Sequence, residues 1–437
     1  MSALALVERA LDACRPTRVA PTPVGRLTGA RGSVLVAQGL SCAVGTGAII
    51  DGHMPAEVIG FDGEDAILVA LSTDASPAQG ARVVATGSSM LAAVGDALLG
   101  RVIDGAGVPI DGVGPVLCDQ KRDVRGAISN PLTKSSVRVP FGTGVRAIDA
   151  LMTLGRGQRV ILAAGSGVGK SILIRQMIDG ADADVVVVGL VGERNREIAD
   201  FVAATRTTDA HRHTVIVAVP GDRSPLLRIR AAQRATTIAE HFRGQGKNVL
   251  LIIDSLTRVA HAQRELGLAT GETPTMKGYP PSALAMIPAL LERCGNDAAT
   301  GGSVTALYTV LADGDDVDDP IVDAGRAIAD GHIILSRSLA EQGIFPAIDI
   351  GRSLSRVMAD IVSPDHKAAA SRVRRLWSVA DENRDLVLMG AYRAGADPMI
   401  DEALEARSAI LDFLSQPVDA HEQSAAAVAR LIAEFGL

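Results

Sequence analysis

The stretch RVILAAGSGVGKSILIRQMI, residues 159–178, decides the fold of this chain. After Arg159 the residues VILAA form a continuous apolar run, the mark of a strand buried on both faces. The turn Gly165-Ser166-Gly167-Val168-Gly169-Lys170-Ser171 follows, and SILIRQMI then starts a helix with its apolar residues on one side. Strand, glycine turn and helix in that order are the setting of a phosphate-binding loop. The glycines let backbone N–H groups turn inward around phosphate oxygens, and the helix N-terminus adds partial positive charge. Lys170 is expected to reach the β- and γ-phosphates, and Ser171 to offer its hydroxyl to Mg2+. The candidate nucleotide cradle is therefore Ala164, Gly165, Ser166, Gly167, Val168, Gly169, Lys170, Ser171 and Ile172. Ala164 stands where the strict pattern has glycine, and a side chain that small is expected to fit.

Outward from this loop the same rhythm continues. DVVVVGLV (184–191), TVIVAV (214–219), NVLLIID (248–254), SVTALYTVL (303–311) and HIILS (332–336) are further apolar runs, separated mostly by segments of helical pattern. Such alternation predicts a mainly parallel sheet flanked by helices, with ligands at the carboxyl ends of its strands. NVLLIID puts Asp254 at such an end, where a carboxylate holds Mg2+ through water; the plainer alternative is a cap for the helix that follows. DVVVVGLV runs into Gly192-Glu193-Arg194-Asn195-Arg196-Glu197, bringing a carboxylate to the same edge. Glu193 could polarise the attacking water, or could simply open a charged helix.

The flanks read differently. Residues 3–13 space Leu4, Val7 and Leu11 as a short amphipathic helix. From Arg18 to Met90, short apolar stretches alternate with Gly, Asp and Pro turns, the pattern of a small β-barrel or sandwich. LGRVIDGAGVPIDGVG, residues 99–114, reads as a turn-rich connector. After about Ser363 the pattern is helical, with Val373, Leu376, Val379 and Ala380 on one stripe and Leu404, Ile410, Leu411 and Leu414 on others. The expected organisation is a helix over 1–17, a barrel over 18–92, an α/β phosphate-loop core with its connector over 93–362, and a helical domain over 363–437.

Composition narrows the function. Aromatics make up only 3%, and the first 140 residues contain a single one, Phe61, so no platform for stacking bases is present and nucleic acid is not an expected partner. Residues 381–437 hold eleven acidic side chains against four Lys/Arg, which accounts for the whole formal charge of −7. Cys14, Cys42, Cys118 and Cys294 are scattered and form no zinc or disulfide pattern, which suits a reducing cytoplasm. The apolar run Leu4–Val7 is too short for a signal core or membrane span. His211 with His213, and the acidic run Asp313–Asp319, lack the ligand spacing of a metal site and read as solvated loops.

Several longer runs carry a family resemblance. They are GTGVRAID (142–149), GRGQRVILAAGSGVGKS (155–171), VGERNREIADF (191–201), LIIDSLTR (251–258), GYPPSALAMIPALLERCG (278–295), DGHIILSRSLAEQGIFPAIDI (330–350) and SLSRVM (353–358). Together they closely resemble the flagellar and injectisome type III export ATPases, relatives of the catalytic subunit of rotary ATP synthases. The resemblance implies Mg-ATP hydrolysis in a homohexameric ring, coupled to chaperone release and protein export. It implies that Glu193 is the catalytic carboxylate and Arg194 its phosphate-side neighbour. Arg356 takes the position of an arginine finger offered to the adjacent subunit, and Phe345 that of an aromatic stacking on adenine. Asn195, and Gly221-Asp222-Arg223 before SPLLR, depart from the usual pattern.

The implied partners are a stator-like regulator on the N-terminal helix, a coiled-coil stalk protein in the pore facing loop 267–277, chaperone–cargo complexes at the C-terminal domain, and an export gate. The implied location is cytoplasmic, peripheral to the inner membrane. Export of flagellar proteins is the expected role, with the injectisome secretion ATPase as its alternative, and three further rivals are kept: the catalytic subunit of a proton-translocating ATP synthase, a noncatalytic nucleotide-binding subunit, and an RNA-translocating hexamer. The first lacks its acidic DELSEED-type segment here, and the second is opposed by Glu193.

Overall fold

The computed structural model describes residues 22–72, 76–126, 130–311 and 319–436, which fall into two compact units divided between Ser89 and Met90. The expected N-terminal helix and all of the acidic run before Asp319 lie outside the described residues. In the first unit, six antiparallel strands, Val24–Arg31, Val34–Gln38, Thr46–Ile50, Met54–Asp62, Asp65–Ala70 and Arg82–Ser88, close into a barrel. Its first strand pairs with its last, so no backbone edge is left for another chain to extend. Alternation along the strands sends Leu27, Leu35, Ile50, Val58, Leu68 and Val83 into one apolar core.

The second unit is built on a mainly parallel sheet. Across it the strands run in the order Leu354–Ser355, Gly331–Ile334, Arg159–Ala164, Ser303–Leu311, Asn248–Asp254, Val185–Val191, Thr214–Val219 and Val102–Ile103. All pair in parallel except Leu354–Ser355 at one edge, and Gly295–Asn296 adds an antiparallel pairing to Ser303–Leu311. Every residue of Val185–Val191, Thr214–Val219 and Asn248–Asp254 is buried, as continuous apolar runs require when helices cover both faces. The far edge strand, Val102–Ile103, comes from the segment read as a connector. Turn residues mask so short a strand in the sequence, and the structure fixes it with a bidentate pair, Arg101 Nε and Nη2 donating to Asp111 at 2.7 and 2.9 Å.

Four helices follow Ser363: Pro364–Glu382, Arg384–Leu388, Pro398–Leu414 and Ser424–Phe435. Val373, Leu376, Ala380, Ile410 and Leu414 face inward as expected, but Val379, Leu404 and Leu411 are only half-buried, while their neighbours Trp377, Ala403 and Phe413 are buried. The two aromatics fill more of the interface, and the smaller side chains move to its half-buried margin. No helix among the described residues is long and apolar enough to cross a membrane.

A short helix, Arg146–Leu151, joins these helices to the sheet, and its Asp149 is fully buried. Thr143 donates to Oδ1 through its N–H at 2.8 Å and its hydroxyl at 2.7 Å, and Gly144 N–H donates to Oδ2 at 3.2 Å. Burial nevertheless dominates and pushes the carboxyl up to about 7. A raised pKa means that the folded state favours the protonated form. The associated stability is complete below the unfolded carboxyl range, about 3.9, and is lost as pH rises toward 7. Urea unfolding is therefore expected to show stability falling by up to about 1.4 kcal/mol per pH unit across this window, and Asp149→Asn to flatten that slope. An equally steep slope in the variant would reject the assignment.

Candidate active site

The site forms where three parallel strands end. Arg159–Ala164 runs into the phosphate loop, Asn248–Asp254 ends on its acid, and Val185–Val191 stops two residues before Glu193. Ala164 is the last residue of a regular strand and is buried, so this position accepts a methyl group without a special backbone conformation. Gly169 caps the helix Lys170–Gly180 in the left-handed region, with φ 92°. That helix buries Leu173, Ile174, Met177 and Ile178 and leaves Ser171 exposed in its first turn.

Lys170 holds the site together. Its Nζ donates to Asp254 Oδ1 and lies 3.4 Å from Glu193 Oε1. Thr309 Oγ1, from the strand between those of Lys170 and Asp254, donates to the same Asp254 oxygen at 2.6 Å. Burial pulls the ammonium's pKa down, but the two carboxylates outweigh it and hold the pKa above its ordinary value. Burial pushes Glu193 up, against the opposing pull of Lys170 and with the Asp254 charge adding to the rise. A carboxylate so placed is more basic than a free one and better suited to accept a proton.

The other expected residues divide. Phe345 is half-buried against the phosphate loop, since a Cβ added at Gly169 would lie 3.3 Å from its ring. Arg194 caps the helix Asn195–Thr205 with an 86% exposed side chain and pairs with Glu197 at 3.3 Å. Arg356 is exposed just after Ser355, which pairs with Gly331. Gly331 in turn pairs with Val160, at the amino end of the strand whose carboxyl end carries the phosphate loop. Within one chain, then, Arg356 lies at the end of the sheet opposite Lys170.

Known proteins match this chain over most of its length. Residues 144–355 match the nucleotide-binding domain of the ATP synthase alpha/beta family, and residues 362–433 match the T3SS EscN ATPase C-terminal domain. The flagellum-specific ATP synthase of Pseudomonas aeruginosa is 47% identical, over 94% of this chain and 93% of that protein. The flagellum-specific ATP synthase of Salmonella typhimurium is 48% identical, over 90% of each. The chain belongs to the type III export ATPase family. Among solved structures, the assembled ATPase EscN of the enteropathogenic E. coli type III secretion system superposes with a TM-score of 0.88 at 40% identity, covering 94% of this chain and 99% of that one. EscN in complex with its central stalk EscO gives a TM-score of 0.86 at 39% identity over the same shares. This export ATPase thus carries the expected barrel, parallel-sheet core and helical C-terminal region.

Besides Thr309, Arg258 also escaped the sequence reading. Gly192 has φ 73°, and a Cβ there would lie 2.8 Å from Arg258 Cβ, so the arginine stem packs directly on the backbone before Glu193. Arg258 Nε is buried without a hydrogen-bond partner among the described residues, as a cation left waiting for an anion would be. The run LIIDSLTR contains Arg258, but helix periodicity alone gives no sign that it reaches a loop 65 residues earlier. The two departures from the family pattern meet each other: Asn195 Nδ2 donates to Asp222 Oδ2 at 3.2 Å, and Gly221 N–H donates to Glu193 O at 3.1 Å.

Removing one partner from a buried charge cluster leaves the others uncompensated. Lys170→Met is expected to lower the stability of the nucleotide-free chain by about 2–4 kcal/mol, and an added Glu193→Gln to recover part of that loss. Urea midpoints of the two variants check this, and a midpoint unmoved by Lys170→Met contradicts it.

Proposed function

We propose that this export ATPase serves flagellar protein export, hydrolysing Mg-ATP in a homohexameric ring and using the energy for chaperone release and substrate entry. The observation that carries the chemistry is the Lys170 ammonium held between Asp254 and Glu193 at the mouth of the phosphate loop. The flagellar role is supported by the flagellum-specific relatives at 47–48% identity, against the type 3 secretion system ATPase of Xanthomonas euvesicatoria, also 47% identical but over 83% of this chain.

The residues present fit a magnesium nucleotide. Asp254 and Glu193 supply the acids, Ser171 the exposed hydroxyl, and Lys170 with the unpartnered Arg258 Nε the cations. Magnesium, held by Ser171 and Asp254, supplies charge neutralisation on the phosphates. The loop amides from Gly165 to Ser171 bind the triphosphate, and Lys170 swings from the carboxylates onto its terminal oxygens. Released from its ammonium, Glu193 orients water for in-line attack and takes its proton. Arg258 and Arg194 stabilise charge on the phosphate side, and Phe345 stacks on the base. Arg356 is too far from its own chain's loop and completes a neighbour's site as an arginine finger, which gives the ring a chemical motive.

EscN's assembly and its central stalk complex support a ring with a stalk protein in its pore, facing loop 267–277. The family resemblance adds a stator-like regulator at the N-terminus, chaperone–cargo at the C-terminal helices, and a cytoplasmic position peripheral to the membrane export gate.

Glu193→Ala is expected to abolish turnover while ATP binding persists, and undiminished hydrolysis in the variant would remove the residue from this role. For Arg356, Lys170→Ala and Arg356→Ala chains should each be inactive alone and regain activity when mixed, because a Lys170→Ala chain still lends its arginine to a neighbour. Mixtures as inactive as their components would exclude a finger supplied in trans.

A further inference from the structure

Both ends of the phosphate-loop helix, Lys170–Gly180, are braced by one residue of the C-terminal domain, through its backbone at one end and its side chain at the other. Gln416, in FLSQP (413–417), follows the helix Pro398–Leu414 and is buried. Its backbone N–H donates to Phe345 O at 2.8 Å, and Phe345 lies against Gly169 at the start of the phosphate-loop helix. Its side-chain Nε2 donates to Gly144 O at 2.8 Å and to Ala420 O at 2.7 Å, and its Oε1 accepts from Arg146 N–H at 2.8 Å. Gly144, with φ 75°, packs so closely on the other end of the helix that a Cβ there would come within 2.7 Å of Gly180 Cα. Phe345, Gln416 and Gly144 therefore close a circuit around the helix from its first turn to its last.

The circuit is reinforced on both sides of Gln416. Arg146 Nη1 donates to the terminal carbonyl of Phe413 at 3.0 Å and its Nε to Glu422 Oε2 at 2.5 Å, capping the helix that delivers Gln416. Gln176, on the phosphate-loop helix itself, donates from Nε2 to Pro417 O at 3.0 Å. A primary amide offers two donors and an acceptor, and here all three are used inside the protein, so no isosteric apolar or acidic side chain can replace it. Hydrophobic packing of the C-terminal helices needs none of these bonds. What they fix is the position of the Gln416 backbone, whose N–H in turn holds Phe345 O beside the phosphate loop.

We propose that Gln416 is a positioning residue for nucleotide binding, holding Phe345 against the phosphate loop from the C-terminal domain. This rests on the reading of Phe345 as the contact to the base. The group acts on binding of the base and leaves Lys170, Glu193 and Asp254 in place, so its loss raises KM for ATP and spares kcat.

The test is a double-mutant cycle in the full-length protein, with Gln416→Ala, Gln416→Met, Phe345→Ala and the two Phe345→Ala/Gln416 doubles assayed for KM and kcat with Mg-ATP. Both Gln416 variants are expected to raise KM roughly tenfold with kcat changed less than about threefold, the loss of one buried hydrogen-bonding group. Gln416→Met keeps the side-chain volume, so a cavity cannot account for its effect. If Gln416 acts through Phe345, each double is no worse than Phe345→Ala alone. Additive losses, a fall confined to kcat, or an unchanged KM in Gln416→Met would overturn the proposal. Lys170→Ala, assayed for binding of a fluorescent ATP analogue, separates the two layers. If it abolishes binding while Phe345→Ala changes nothing, the ATPase reading stands and the positioning role falls. If it leaves binding intact, the phosphate-loop reading fails and takes this proposal with it.

Discussion

One ammonium neutralising two carboxylates is the constraint around which this core is organised. Asp254 and Glu193 follow strands adjacent in the sheet, and the Lys170 ammonium lies between the two carboxylates. The glycine turn exists to deliver that lysine at the right height. The fully buried strands beneath it supply both the rigid base and the low dielectric that make the arrangement matter. On the function proposed above, nucleotide binding would be an exchange of partners: the lysine would leave carboxylates for phosphates, and the freed acids would turn to metal and water.

How much of this could be read from the sequence follows from how local each signal is. The phosphate loop is legible because strand, turn and helix are contiguous, and Asp254 and Glu193 are legible because each closes an apolar run. Thr309, Arg258 and Gln416 are not. Each reaches the site across a sheet neighbour or a domain, 55 residues in the case of Thr309 and Asp254, and a threonine in a strand or an arginine on a helix looks like any other until the chain is folded. The edge strand Val102–Ile103 stayed hidden for the opposite reason, being too short for periodicity and embedded in turn formers. On the C-terminal helices the period is legible but Val379, Leu404 and Leu411 lie at the half-buried margin, because stripe counting treats Val379 and Trp377 as equals while packing favours the larger ring.

The same distinction separates the chemistry that one chain contains from the chemistry it can only offer. Lys170, Asp254, Glu193, Phe345 and Arg258 gather at one end of the sheet. Arg356 sits at the other, fixed by the backbone bond from its N–H to Asp330 O at 2.9 Å. A protomer thus carries the Lys170 cluster at the carboxyl ends of its strands and an exposed arginine at their amino ends, the arrangement that the proposed arginine finger requires.

The order of strands also has a consequence for synthesis on the ribosome. The barrel pairs residues 24–88 among themselves, so it can close as soon as that segment emerges. Arg159–Ala164, by contrast, finds its two sheet neighbours only in residues 303–311 and 331–334. Until residues 303–311 have been translated the central strand and its phosphate loop have no sheet partner on either side, and the second side waits for residues 331–334. The nascent core is therefore expected to need shielding by chaperones for most of its translation, whereas the barrel needs none.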